Sequence, residues 1–156
     1  MHSKVEAILS PSNVQYQVRY HRDFPTEIRS PRDFAAALGY DVARITKTLL
    51  LRSTEREEFS IVVVSCTKRV QLEKVAELLQ TKRVQMATRE ELAGILDYPP
   101  AGVSPLGAAS LPVTIDAGLM EFPTILMGAG EAAVEIEIAP QALVQITGAK
   151  VVSIAM

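Results

Sequence analysis

The sequence predicts an α+β protein with a largely antiparallel or mixed sheet. Three observations carry this expectation. Segments with two-residue apolar alternation and segments with a helical period are mixed without a repeated strand–helix–strand rhythm, which argues against a doubly wound nucleotide fold. Two strongly β-forming runs, 45–52 and 58–66, are separated only by Ser-Thr-Glu-Arg-Glu, the spacing of a hairpin. The 156 residues show no internal repeat, low-complexity tract or linker-like stretch, so a single domain over 1–156 is expected.

The elements follow in chain order. Val5, Ile8 and Leu9 with Pro11 beyond predict a short first helix over 3–9. Residues 14–20 (VQYQVRY) alternate and are β-branched and aromatic, so they read as a strand, and the polar, Pro-containing stretch 21–30 reads as a loop. Ser30 is placed to cap a helix that begins with Pro31 and ends near Gly39, with Phe34, Ala35, Ala37 and Leu38 as its inner stripe. After the 45–66 hairpin, Val70, Leu72, Val75, Leu78 and Leu79 give a helical period over 69–80, and 83–86 forms a short strand. Thr88 opens the next helix, with Glu91 three residues on completing a capping box. The stretch 99–112 (PPAGVSPLGAASLP) carries four prolines and reads as turns. Strands are expected at 113–115, 124–127 and 134–138. A helix runs from Pro140 through Ile146 and stops at Gly148, and a last strand covers 151–154.

Composition narrows the class. Hydrophobic residues make up 48% and charged residues 22%, the proportions of an ordinary globular protein rather than a disordered or collagen-like chain. The single Cys66 excludes an intramolecular disulfide framework and a thiolate metal cluster. No apolar run has signal-peptide or membrane-spanning length, so a cytoplasmic protein with no membrane partner is expected. The net charge of −2 is unevenly distributed. Residues 1–100 hold 15 basic and 13 acidic side chains, whereas 101–156 hold Lys150 against five acidic ones. A polyanionic partner is therefore expected to approach the first two-thirds of the chain.

Two features point to chemistry. In the 45–52 strand, the two-residue period puts Lys47 on one face with Ile45, Leu49 and Leu51. An ammonium on an apolar face must find a partner, reach solvent at the strand end, or line a cleft. The second feature is the loop Ala101-Gly102-Val103-Ser104-Pro105-Leu106-Gly107. Its glycines let backbone approach a ligand and leave amide N–H groups to bind an anion or oxyanion, although most such loops are only connections. Gly128-Ala129-Gly130 is a further close-approach site or a simple turn. His2 and His21 lack a second ligand at metal-binding spacing, so no metal and no other cofactor is expected. A Cys66–His21 nucleophile pair is conceivable, but Cys66 ends the apolar run IVVVSC and reads as a buried structural thiol. Asp116 reads as the cap of the turn that follows its strand. Lys68, Arg69 and Lys74 form a basic group that suits phosphate contacts.

Taken together, Ile45-Thr46-Lys47-Thr48-Leu49, Gly102-Val103-Ser104-Pro105-Leu106-Gly107, the 113–116 strand and Ile138-Ala139-Pro140-Gln141-Ala142-Leu143 resemble the YbaK/prolyl-tRNA-synthetase-associated editing domain family. The resemblance runs in order from about residue 3 to the C-terminus. It implies a single α+β domain with a mixed, partly barrel-like β-sheet flanked by helices. The implied activity is hydrolysis, in trans to the synthetase, of the ester joining a wrong amino acid to tRNA. By the same resemblance Lys47 matches the family's essential lysine, which holds substrate near the tRNA 3′ end. Gly102, Val103, Ser104 and Pro105 match the pocket-lining loop, Tyr20 a pocket tyrosine, and Thr48 and Gly128 pocket-lining positions. Ala101 stands where close members have a first glycine, and the Gly128–Gly130 turn replaces a Ser/Gly-Gly turn; both departures bear on which amino acid is removed. The implied partners are mischarged tRNA, with a small amino acid such as Cys or Ala on tRNA(Pro), and a synthetase such as prolyl-tRNA synthetase. Two other readings compete: a non-catalytic tRNA- or synthetase-binding module of the same fold, and a small-molecule ester or amide hydrolase using the same pocket.

Overall fold

A computed structural model of the chain describes residues 1–107 and 110–156. Ala108 and Ala109, part of the turn-rich stretch 99–112, lie outside the described residues. The elements are α1 (Ser3–Leu9), β1 (Tyr16–Tyr20), α2 (Pro31–Leu38), β2 (Thr46–Ser53), β3 (Phe59–Ser65), α3 (Leu72–Leu78), β4 (Val84–Met86), α4 (Arg89–Leu96), β5 (Val113–Asp116), β6 (Ile125–Gly128), β7 (Val134–Ile138), α5 (Pro140–Thr147) and β8 (Lys150–Val152). This is the α+β class, and its strands form two sheets. One is antiparallel, in the order β1-β7-β6; the other is mixed, in the order β4-β2-β3-β5-β8, with β5 parallel to β3 and to β8. A parallel bridge between Ile45 and Leu126 joins the two sheets, and the Thr46 hydroxyl donates to Leu126 O at 2.8 Å beside it. This join is the partly barrel-like feature.

Local chemistry accounts for the element ends. Ser30 Oγ accepts the Asp33 N–H at 3.2 Å, Pro31 occupies the first turn, and Gly39 closes α2 in the left-handed region at φ +72°. The capping box at α4 is complete: Thr88 Oγ1 accepts from Glu91 N–H, and the Glu91 carboxylate accepts from Thr88 N–H. Three boundaries depart from the periodicity for a visible reason. β1 starts at Tyr16 rather than at residue 14, because its ladder to β7 begins with the Tyr16–Ile138 pair. α3 starts at Leu72 rather than near 69, because Arg69 and Val70 pair with the C-terminal segment: Arg69 N–H donates to Met156 O at 2.9 Å, and Val70 bridges Ala155. β8 ends at Val152, since Ile154 N–H turns away to Asp116 Oδ1 at 3.0 Å. That bond also corrects the role expected of Asp116, which holds the C-terminal segment instead of capping the turn after β5.

Among the described residues the core has three parts. Leu50, Ile61, Val63 and Ile115 of the mixed sheet pack against Ile125, Met127, Ile136 and Ile138 of the antiparallel sheet, with α1 and α5 adding Val5, Leu9 and Leu143. On the other face of the mixed sheet, Leu51, Val62 and Val64 are covered by Val75 and Ala76 of α3. A smaller cluster joins Phe34 and Ala35 of α2 to Ile45 and Leu126 at the seam between sheets. Among the described residues no helix is long and apolar enough to cross a membrane.

Candidate active site

The cleft arises from the way β2 parts company with its neighbours. β3 pairs with β2 along the whole strand. On the opposite edge, β2 meets β6 through the single bridge at Ile45 and meets β4 only from Leu51 to Ser53, with Ala87 N–H reaching Leu50 O at 3.0 Å. Strand pairing on this edge therefore lapses around Lys47, Thr48 and Leu49. Antiparallel strands alternate the direction of their backbone polar groups. Cys66 N–H donates to Ile45 O and Ser53 N–H to Glu58 O, both at 2.8 Å, so odd-numbered positions of β2 direct their groups to β3. The backbone groups of Thr48 consequently face the gap.

That gap is a cleft of about 500 Å³. Its floor is the Ile45–Leu49 segment, one wall is Ala101, Val103 and Gly128, another is Val134 and Glu135 with His21, and the fourth is the start of α2 with Arg29, Ser30 and Phe34. Lys47 lies on the face of β2 that α3 covers at the Leu51 end, and beyond that cover its side chain lines the cleft, half-buried. Among the described residues it has no hydrogen-bond or ion-pair partner. The Thr48 hydroxyl also lacks a partner, although its oxygen is buried. A buried hydroxyl left unpaired costs roughly 1–3 kcal/mol. The N-terminus of α2 adds a positive dipole end beside the Lys47 and Arg29 charges.

The Gly102–Gly107 loop contributes differently from the expectation. Gly102 is buried, its N–H donates to Pro99 O at 2.9 Å, and its carbonyl accepts the Gly130 N–H at 2.8 Å. A Cβ there would lie 2.5 Å from the Glu131 carbonyl carbon, and a Cβ at Gly128 would overlap Val103 O. Both glycines thus let the loop press against the β6–β7 turn, and the Gly102 amide is already engaged rather than open to an oxyanion. The Val103 N–H next to it has no partner among the described residues, and Val103 lines the cleft. Ser104 is fully buried and its hydroxyl accepts the Leu106 N–H at 3.2 Å. Pro105 faces a separate apolar hollow with Ile8 and Val113. Tyr20 is half-buried under the Arg22 guanidinium, 4.5 Å from its ring centre, and borders the cleft only through its neighbour His21.

Of the residues expected to touch substrate, the structure brings Lys47, Thr48, Val103 and Gly128 around one cleft; Gly102, Ser104, Pro105 and Tyr20 support or flank it. Lys68, Arg69 and Lys74 are not in its lining. Lys68 Nζ lies 3.9 Å from the buried Asp116 carboxylate, while Arg69 and Lys74 are exposed. Cys66 is half-buried, its S–H donates to Val42 O at 3.3 Å, and burial raises its pKa despite the Lys47 and Arg32 charges, so it has no thiolate character. Glu135 is a lining residue that sequence reasoning missed, and it is paired with His21, which the sequence offered only as a metal ligand or a partner of Cys66. His21 Nε2 sits 2.7 Å from Glu135 Oε2, with its ring packed 4.7 Å from that of Phe34. Burial raises the Glu135 carboxyl, and the His21 hydrogen bond offsets only part of that effect.

These features define an α+β protein whose two joined sheets leave a cationic cleft at the fork of a central strand. The chain belongs to the aminoacyl-tRNA editing domain family, whose model matches residues 26–146. A proline–tRNA ligase of Sulfurihydrogenibium sp. is 32% identical over 108 residues, which cover 69% of this chain and 19% of the ligase; the chain thus spans about a fifth of that relative's length. EbsC of Enterococcus faecalis, named as a candidate Cys-tRNA(Pro)/Cys-tRNA(Cys) deacylase, is 27% identical over 119 residues, 76% of this chain and 72% of its own length. The crystal structure of a candidate trans-editing enzyme for prolyl tRNA synthetase superposes with a TM-score of 0.85 at 24% identity, covering 100% of this chain and 99% of that one. A hypothetical protein of known crystal structure does so at 0.86 and 24%, covering 99% and 100%. At that identity both likenesses establish the fold.

Proposed function

We propose that this chain is a trans-acting aminoacyl-tRNA deacylase that hydrolyses the ester of mischarged tRNA, with a small amino acid such as Cys or Ala on tRNA(Pro) as substrate. The family supports an editing reaction, and the names of two relatives support the tRNA(Pro) assignment and a link to prolyl-tRNA synthetase. The observation that carries the reading is the convergence of Lys47, Thr48 and Val103 in the lining of one cleft.

The chemistry follows from those groups. Water adds to the ester carbonyl, negative charge builds on its oxygen, and the ribose hydroxyl leaves. Donors already aimed at the developing charge lower this barrier, because a dry site spares them reorganisation. Lys47 supplies a cation for the 3′ phosphate or ribose, and Val103 N–H replaces Gly102 as the backbone donor toward the carbonyl. Thr48 offers its hydroxyl and its unpaired backbone edge to the aminoacyl group. The 500 Å³ volume suits the terminal nucleotide with a small side chain. Arg69 and Lys74 provide exposed charge for the RNA backbone outside the cleft, with Lys68, paired to Asp116, beside them.

The test is a panel of mischarged tRNAs incubated with the purified chain. One or more small aminoacyl esters should be cleaved faster than in buffer, and Lys47→Ala should lower that rate by about a hundredfold or more while the protein stays folded. Binding of tRNA without cleavage of any ester by folded protein would leave the chain as a non-catalytic module.

A further inference from the structure

Resting on the deacylase reading, we infer that Glu135, positioned by His21, is the receptor for the substrate's α-ammonium group, so that the cleft accepts aminoacyl esters with a free amine and rejects N-blocked ones. Among the described residues Glu135 is the only carboxylate in the lining of the cleft. It stands directly across from Gly128 in the β6–β7 ladder, and cross-strand partners share a face. The missing side chain at Gly128 lets the Val103 backbone close in on this side, so the carboxylate and the Val103 segment line the same cleft. Its other cross-strand neighbour is Arg19, yet the Arg19 guanidinium turns to Glu137, with bonds of 2.9 and 2.7 Å. Glu135 is left with one partner, the His21 bond on Oε2, and its Oε1 has none among the described residues.

The charges in the cleft are arranged in the same sense. Lys47 does not pair with Glu135, so the cleft holds a cation and a half-satisfied anion that do not neutralise one another. A ligand with an ammonium at one end and phosphate at the other complements both, and the 3′ end of an aminoacyl-tRNA is such a ligand. A buried carboxylate gains most from a second, desolvated cation, since the interaction is stronger away from water. His21 is a positioning residue: its ring, packed on Phe34, fixes one carboxylate oxygen and leaves the other to the substrate.

The experiment compares the panel's fastest-cleaved mischarged tRNA with its N-acetylated counterpart, for example alanyl- against N-acetylalanyl-tRNA(Pro). Each rate is divided by its own rate in buffer, because acetylation slows the uncatalysed reaction as well. The wild-type chain should favour the free-amine ester by about tenfold or more, as a site built around a polar group rejects a ligand lacking its complement. Glu135→Gln should lower kcat/KM for the free-amine ester by a similar factor and leave the acetylated ester unaffected, so that the preference collapses. His21→Asn should reduce the preference in part. Equal acceleration of both esters by the wild-type chain would overturn the assignment while leaving the deacylase reading intact, and this arm needs no variant to fold. Glu135→Gln slowing both esters equally would also overturn it. Failure to cleave any ester removes the deacylase reading, and this assignment with it.

Discussion

Thr48 shows how stability and function pull apart at one position. Its hydroxyl is buried without a partner among the described residues, an arrangement that costs stability unless something else bonds to it. Valine has nearly the same shape and suits a strand. Thr48→Val should therefore leave thermal stability unchanged or raise it by about 1 kcal/mol, while lowering kcat/KM on the cleaved ester. Thermal unfolding and deacylation assays on the same preparation check this, and a variant that loses stability without losing activity would make the hydroxyl structural. Legibility in the sequence differs sharply among the residues of the cleft. Lys47 was visible because an ammonium breaks an otherwise apolar alternation. The engagement of the Gly102 amide was not, because its partner, Pro99 O, depends on a turn that periodicity does not specify. Glu135 was hidden by its surroundings: between Val134 and Ile136 it reads as the solvent face of a strand, and its partner His21 is 114 residues away.

The elements were more legible than the site, for a physical reason. Helix caps, turn glycines and the 45–66 hairpin are decided by residues close in sequence, so α2, α4, β2 and β3 could be read locally. The shortening of α3 and β8 comes from pairing between Val70 and Ala155 and from the Asp116 bond to Ile154, both contacts across distant chain. The fork of β2 likewise depends on two different strands, β4 and β6, each of which claims one end of its free edge. Helix α2 joins local signal to function, because its first turn is a wall of the cleft. Ser30→Ala removes the cap on Asp33 N–H and should cost about 1 kcal/mol. Since Phe34 backs the His21 ring, fraying of this turn should also raise KM more than it lowers kcat. Denaturant unfolding and steady-state kinetics measure the two effects, and an unchanged KM would mean that the α2 terminus does not shape the bound state.

At the scale of the whole molecule, two carboxyls two residues apart on β7 set opposite pH dependences. Burial alone would raise the Glu137 carboxyl, but hydrogen bonds from Thr124 at 2.6 Å, from Arg19, and from Tyr40 at 2.8 Å together hold it below the usual carboxylate range. This cluster ties β1, β7, the approach to β6 and the end of α2 together. A depressed pKa in the folded state means that the unfolded chain binds the proton more readily. The stability from Glu137 is therefore present above its unfolded pKa and lost as pH falls through the folded value. Glu135 behaves in reverse: burial raises its carboxyl, so its contribution is fully present below the unfolded pKa and lost as pH rises through the folded value. Glu137→Gln should accordingly flatten the acid side of the stability profile and lower the plateau at neutral pH, where it breaks the bonds to Arg19. Glu135→Gln should instead raise stability at neutral pH relative to the wild-type chain and leave the acid side little changed. Thermal unfolding of the three proteins between about pH 3.5 and 8 separates these outcomes. If Glu135→Gln destabilised the protein at neutral pH, the ionised Glu135–His21 pair would be a structural brace. A gain in stability would mark it as a charge kept in the cleft at the expense of the fold, as expected of a group that awaits a ligand.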